Sequence, residues 1–400
     1  MREITITAND AGRRLDRFLR KYLSNASLGE IYKLIRKDIK VDGKRRAQSY
    51  MLNEGEVITF YISDEALDAL TGMAGKMSGA FGAQAGKMDK AAGAQSGRVD
   101  KAAGAQSGKM SKAKRQFRII YEDADVLIAG KPFGLLTHGD RFEKKNHLAN
   151  QVKDYLIEKG EYEPAREKVF SPAPANRLDR NTTGLVLFGK TSAALKALNM
   201  MIRDDLADKY YLTIAHGIIE KPLVLRGNLT KDEESNKVQI SEIKASELPA
   251  HTDELHRRND DHSLPVLTVI EPLEILDFGD GMKATLVQVK LVTGRSHQIR
   301  AHLAGIGHPV VGDTKYAHAS AASRTALKMI DRLNEHLARE YKLQTQLLHA
   351  YRISFADEGL PDDLAYLSGK SFTAPLPPAF CKVLEGAGSE FKSKPIYQNN

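Results

Sequence analysis

The sequence predicts an α+β protein made of two folded parts joined by a stretch of low complexity. Three observations carry this expectation. Short apolar runs bounded by Gly, Pro and Asp alternate with segments whose apolar residues recur at helical spacing. The 400 residues are 42% hydrophobic, enough to bury ordinary cores in two domains. Between about residues 65 and 116 the composition turns to Gly, Ala, Lys, Met, Gln and Ser. The expected organisation is a small α+β domain over 1–64, a flexible linker over 65–116, a larger domain over 117–385 and a tail over 386–400.

The formal charge of +8 points to a polyanionic partner. A single cysteine, Cys381, excludes an internal disulfide and a cysteine-rich zinc site. Met1–Ile6 alternates charged and apolar residues, unlike a signal peptide, and no later run approaches membrane-spanning length. A cytoplasmic monomer that takes no part in a membrane is expected.

In the first 64 residues, Leu15, Phe18, Leu19, Tyr22 and Leu23 form the core stripe of one helix, with Arg13, Arg14, Arg17, Arg20 and Lys21 on its remaining arc. Ser27 with Glu30 makes a capping box that starts a second helix, which buries Ile31, Leu34 and Ile35 and shows Lys33, Arg36 and Lys37. Ile39 and Val41, a turn at Asp42–Gly43 and the run from Gly55 to Phe60 complete the unit with strands. Charged helix faces are usually just solvated. From Arg13 to Arg46, however, basic residues outnumber acidic ones by twelve to four, which mixed-charge surfaces do not show. RNA contact through Arg13, Arg14, Arg17, Lys33, Arg36 and Lys37, mostly to phosphates, is expected. This order resembles the S-four-like RNA-binding module carried by many RNA-modifying enzymes.

In the linker an eleven-residue motif restarts at Gly75, Gly86, Gly97 and Gly108, with nearly identical middle copies. Each copy offers one bulky apolar residue and at least two glycines, too little to offset the entropy of ordering.

From Phe117 the pattern is globular. Ile119–Tyr121 and Val126–Ile128 read as strands around an acidic turn, and the second leads into Lys131-Pro132-Phe133-Gly134-Leu135-Leu136-Thr137-His138. Asn150–Lys159 reads as an amphipathic helix. Pro172 and Pro174 then bring the chain extended into Asn176-Arg177-Leu178-Asp179-Arg180, and Leu185–Phe188 reads as a strand buried on both faces. Taken alone, one acid among arginines is more often a structural pair stapling a loop. Thr191 caps a helix carrying Leu195, Leu198, Met201 and Ile202. In the strand Asp208–Ala215, Tyr211 lies on the face opposite Leu212 and Ile214, so it faces a cleft if the aliphatic face is the core. Residues 230–263 are polar and read as an insertion. Val266–Ile270 and Thr285–Leu291 resume the strands, Thr293–Gly294 opens a helix that buries Ile299, Leu303 and Ile306, and Gly307-His308-Pro309-Val310-Val311-Gly312-Asp313 follows. His297 and His302 are five residues apart, on different sides of that helix, so no metal site is expected. Gly294–Arg295 fits a phosphate nest.

Arg177-Leu178-Asp179 with Thr182-Thr183-Gly184 resembles the central motif of the RluA-like pseudouridine synthases. Asn176 and Thr183 stand where the family has His and Ser. The Lys131–His138 run, the Lys209-Tyr210-Tyr211 triplet and the stretch from Thr293 to Asp313 are similar to further family motifs. The resemblance implies a pseudouridine synthase fold, a catalytic domain built on a mixed, largely antiparallel sheet. It also implies a cofactor-free isomerase with Asp179 as catalytic residue, Tyr211 packing on the target base and Arg300 holding the carboxylate charged. Lys131, Arg177, Arg180 and Arg295 would contact RNA, and ribosomal RNA of the large subunit is the favoured substrate over transfer RNA. Two rivals stay open at this point. A non-catalytic RNA-binding or ribosome-assembly protein explains the charge equally well, and a hydrolytic glycosidase would need a second carboxylate, for which Asp313 is the only obvious candidate.

Overall fold

The computed structural model describes residues 1–71, 115–231, 238–242, 263–318 and 323–391. It divides into two units, Met1–Lys114 with Glu163–Phe170, and Arg115–Tyr162 with Ser171–Asn400.

The first unit runs β1 (Arg2–Thr5), α1 (Leu15–Tyr22), α2 (Leu28–Lys37), β2 (Ile39–Val41), β3 (Val57–Phe60) and α3 (Asp64–Thr71), with the strands in the antiparallel order β1-β3-β2. The expected stripes hold: Leu15, Phe18, Leu19, Leu23, Ile31 and Ile35 are buried together with Ile39, Val41, Ile58 and Phe60. The capping box forms as expected, with Ser27 and Glu30 satisfying each other's backbone N–H groups. Three expectations need correction. Residues 65–71 are not linker but belong to the helix Asp64–Thr71, because Leu67 finds a place in this core; the repeats themselves lie outside the described residues. Glu163–Phe170, placed in the larger domain from sequence, belongs to this unit. Buried Asp10 accepts the N–H groups of Lys168, Val169 and Phe170 at 2.8 to 3.1 Å, and Val169 joins the core. Arg13 and Arg14 precede α1 instead of lining its arc, and Arg14 is tied to Asp16 at 2.8 Å. Arg17, Lys33, Arg36 and Lys37 are exposed.

The second unit carries β4 (Arg118–Glu122), β5 (Val126–Lys131), α4 (Leu148–Glu158), β6 (Ala173–Pro174), β7 (Thr183–Gly189), α5 (Ser192–Arg203), β8 (Ala207–His216), β9 (Leu223–Lys231), β10 (Val238–Glu242), β11 (Leu264–Asp277), β12 (Lys283–Leu291), α6 (Gln298–Gly305), α7 (Arg324–Tyr341), β13 (Leu348–Phe355), β14 (Ser371–Thr373) and α8 (Pro378–Gly386). Its 11-stranded sheet follows β10-β9-β11-β12-β8-β13-β7-β5-β4, with β14 on β13 and β6 on β7. Only the β13–β7 pair is parallel among these. This is the mixed, largely antiparallel sheet expected. The polar stretch 230–263 is no mere loop, since Val238–Glu242 pairs with β9 inside it; residues 232–237 and 243–262 lie outside the described residues, as do 392–400 of the tail.

Layers cover both faces of the sheet. On one, Ala129, Val186, Tyr211, Val287 and Val289 pack under α4 and α6; on the other, Ile128, Leu187, Leu212, Ile214 and Ile353 pack under α5, α7 and α8. Double coverage explains why all seven residues of β7 are buried. Each large apolar side chain there contributes ~1.5 to 3 kcal/mol by leaving water. Neither face of β8 is bare, and Tyr211 is 6% exposed.

Candidate active site

Asp179 is fixed through the backbone on both sides of it. Thr137 Oγ1 donates to Leu178 O at 2.9 Å and accepts the Leu178 N–H at 3.1 Å, while Lys131 Nζ reaches Arg180 O at 2.9 Å. The same ammonium donates to Pro132 O at 3.1 Å and Leu135 O at 2.6 Å. Lys131 is therefore a buried brace rather than the RNA contact expected from sequence: at 2% exposure, with its donors spent on carbonyls, it has no path to a phosphate. Burial pushes its pKa down to about 7, with the Asp179 carboxylate opposing. Three carbonyl acceptors match the three donors of its charged form. The unusual Asn176 also has a structural account. Its side chain donates to Leu185 O at 3.3 Å and accepts the Leu187 N–H at 2.8 Å, standing in for a strand partner along β7.

The other wall comes from the loop ahead of α6. Gln298 pins it, accepting from Thr293 Oγ1 at 2.9 Å and Arg295 N at 3.1 Å while donating to Leu267 O and Thr268 Oγ1 on β11. The pinned loop puts His297 in the left-handed region at φ 57°, with Nε2 3.8 Å from Asp179 Oδ2. Burial pushes the His297 pKa down against the pull of Asp179.

One turn into the helix, Arg300 sits between two carboxylates. Its Nε and Nη2 donate to Asp313 at 2.6 and 2.7 Å, Nη1 lies 3.8 Å from Asp179 Oδ2, and the guanidinium stacks 5.0 Å over the Tyr316 ring. Burial works against its charge, but the bonds and charge of Asp313, with Asp179 behind, outweigh burial and hold its pKa above the ordinary value. Asp313 is wholly buried and also accepts the N–H groups of Lys315 and Tyr316. It is the anchor of Arg300, not a second acid flanking a bond, which removes the geometric basis of the glycosidase reading. The Tyr316 hydroxyl, 3.0 Å from His297 Nδ1, completes this wall.

These walls enclose a cleft with about 450 Å³ of empty space, lined by Arg177, Asp179, Thr182, Tyr211, Arg295, His297 and Arg300, with Leu291 and Leu348 adding apolar surface. Tyr211, opposite Ala350 in β13 and Val289 in β12, lines it from the sheet, and burial followed by the Asp179 charge drives its phenol pKa up. The Thr182 hydroxyl is buried there with no hydrogen-bond partner among the described residues. Asp179, Tyr211 and Arg300 are thus brought together. Arg177 lines the cleft and is exposed, Arg295 is half-buried, and Arg180 is exposed but lines a neighbouring groove instead. Sequence reasoning did not single out Thr182, Leu291, His297 as a cleft residue, Tyr316 or Leu348. Thr182 and His297 lay inside recognised motifs, and Leu291, Tyr316 and Leu348 come to the site only through long-range packing.

Residues 125–305 match the family model described as RNA pseudouridylate synthase. A protein named ribosomal large subunit pseudouridine synthase C from Vibrio vulnificus is 27% identical over 338 residues, 84% of this chain and 86% of that one. Over that span the chain is similar to the RNA pseudouridylate synthases. Other relatives include an RNA pseudouridine synthase of Helicobacter pylori, 26% identical over 68% of this chain and 78% of its own length, and a large-subunit pseudouridine synthase C of Pasteurella multocida, 25% identical over 98% and 94%. Among solved structures, human RNA pseudouridylate synthase domain containing 4 aligns with 68% of this chain and 92% of its own, at 19% identity and TM-score 0.46. As a pseudouridine synthase the chain is an isomerase, and the matched span contains Asp179, Tyr211 and Arg300.

Proposed function

We propose that this isomerase converts uridine to pseudouridine in large-subunit ribosomal RNA, with Asp179 as its catalytic residue. The observation that carries the site is the juxtaposition of one carboxylate with a buried, doubly bonded arginine in a cleft that a strand tyrosine also lines. The reaction breaks the bond from ribose carbon 1 to uracil nitrogen 1 and re-forms it to carbon 5. The carbon-5 proton leaves and nitrogen 1 gains a proton, so no net oxidation occurs. A carboxylate serves this either as nucleophile or as base toward the sugar. Arg300 keeps that charge compensated once RNA has excluded water, and the Tyr211 ring offers a packing surface for a base turned out of its stack. Arg177, Arg180 and Arg295 take the flanking backbone. The choice of ribosomal RNA is supported by relatives named large-subunit pseudouridine synthases. The first unit, read as an S-four-like module, supplies phosphate contacts through Arg17, Lys33, Arg36 and Lys37.

The test is incubation with RNA labelled at uridine carbon 5. The parent releases label while the base stays joined to the chain. Asp179→Asn, which keeps the shape without the anion, should bind RNA as the parent does and release none. Turnover within about tenfold of the parent would remove Asp179 from the chemistry. Pseudouridine mapping in cells lacking the protein assigns the substrate, and a loss confined to transfer RNA overturns the ribosomal assignment.

A further inference from the structure

Between β5 and α4 the chain makes a turn, Asp140–Asn146, held by its own carboxylates. Asp140 Oδ1 accepts the N–H groups of Phe142 and Glu143 at 2.8 and 2.7 Å, and Glu143 Oε1 accepts those of Lys145 and Asn146 at 2.9 and 2.7 Å. Asn150 and Gln151 of α4 add bonds to Lys145 O and Asn146 Oδ1 at 2.9 and 2.8 Å. Asp140 Oδ2 faces Arg180 at 3.3 Å. With both acids occupied inside the turn or by Arg180, the groups left to solvent are Arg141, Phe142, Lys144 and Lys145, all exposed. None of these cations forms an ion pair among the described residues.

Phe142 is 80% exposed, more than any other large apolar side chain among the described residues, and the Arg141 guanidinium lies 4.5 Å over its ring. Glu143 and Asn146 of the same turn line a groove with about 960 Å³ of empty space, together with Pro132–Leu136, including Phe133, 56% exposed, and Arg180. Arg180 directly follows Asp179, so the groove leads away from the active cleft. A rigid turn that offers an aromatic ring to water makes no contribution to either core. Aromatic faces set among unpaired cations are how single-stranded nucleic acid is held, bases on the rings and phosphates on the charges. An apolar protein partner would gain nothing from three cations around the ring, whereas a polyanion does.

We propose that this groove binds unpaired nucleotides adjoining the target uridine, with Phe142 and Phe133 as stacking surfaces. The inference rests on the RNA-modifying reading of the cleft and deepens it, because it makes an unpaired neighbour part of what the enzyme selects.

The sequence contains no tryptophan, so Phe142→Trp in the full chain is a sole indole reporter at the groove. A stem-loop RNA with the uridine in its unpaired loop should quench that fluorescence saturably, and the same strand annealed to its complement should quench it far less. Phe142→Ala and Phe142→Leu should each raise KM for the stem-loop by about 5- to 150-fold, the worth of one stacked base, with the loss falling on KM and not on kcat. An unquenched indole in a chain that still isomerises uridine overturns the groove alone, as does an unchanged KM in Phe142→Ala. So does a Phe142→Leu enzyme that matches the parent, since that marks an apolar contact and not a stack. Full quenching by RNA in a chain whose parent forms no pseudouridine overturns the catalytic reading and keeps the groove.

Discussion

At the scale of single residues, Arg300 is held by two anions with different duties. Asp313 fixes it through two short bonds in a site without solvent, and only the remaining nitrogen turns toward Asp179. Removing the anchor leaves a buried cation with one distant partner. Asp313→Asn should therefore cost ~3 to 5 kcal/mol of stability, seen as a lower urea midpoint. It should also reduce kcat with Asp179 untouched, because the freed guanidinium no longer holds its geometry. Full activity in Asp313→Asn would show that Arg300 does not act on Asp179.

At the scale of elements, the site depends on the approach of β7 to β13, the one parallel pair among the described strands of the sheet. Gly184 makes it possible. It has φ 112° and pairs with Ala350, and a Cβ there would overlap the Ala350 backbone. Gly184→Ala combines a strained conformation with a backbone clash, and its destabilisation should be on the order of 3 kcal/mol or more. Differential scanning calorimetry checks this, and a variant as stable as its parent would mean that the strands separate at no cost. The segment bearing Asp179 precedes β7 and Leu348 opens β13, so a surviving Gly184→Ala protein should also lose activity.

At the scale of the molecule, charge and acid response are set by where cations and imidazoles lie. Replacing Arg17, Lys33, Arg36 and Lys37 together with Gln keeps the full chain, including the Glu163–Phe170 segment that a deletion of residues 1–71 would strip of its partners. The slope of log binding constant against log salt should flatten by about 0.7 to 0.9 for each phosphate no longer neutralised, measured by filter binding at several salt concentrations. An unchanged slope would mean that the first unit does not hold RNA. In the second unit, burial drives His216, His302 and His349 down to about 4 from an ordinary 6.5. A folded pKa below the unfolded one means that unfolding takes up protons in between. The stabilisation is complete above about 6.5 and is lost as pH falls toward 4. The melting temperature should thus decline between pH 6.5 and 4, with proton uptake on unfolding, and a flat profile across that window would show these imidazoles to be solvated.

Local signals were enough for much of this. The capping box at Ser27, the Thr191 cap, the core stripes of α1 and α2, the doubly buried β7 and the motif around Asp179 are all written in adjacent residues, because capping, periodicity and turn chemistry act over a few positions. Asp179, Tyr211 and Arg300 are brought forward by the resemblance to the RluA-like synthases, since periodicity and spacing alone leave them as a loop staple, a sheet residue and a helix cation. What the sequence could not determine was who surrounds them. Lys131 reads as a surface cation and Asp313 as a turn residue until β5, β7 and α6 are packed together; then the ammonium finds three carbonyls and the carboxylate finds a guanidinium. The same holds for residues 163–170, which lie in the middle of the catalytic sequence yet fold with the first unit. Burial and pairing depend on neighbours far apart in the chain, and only the tertiary structure decides which charged groups face RNA and which brace the site.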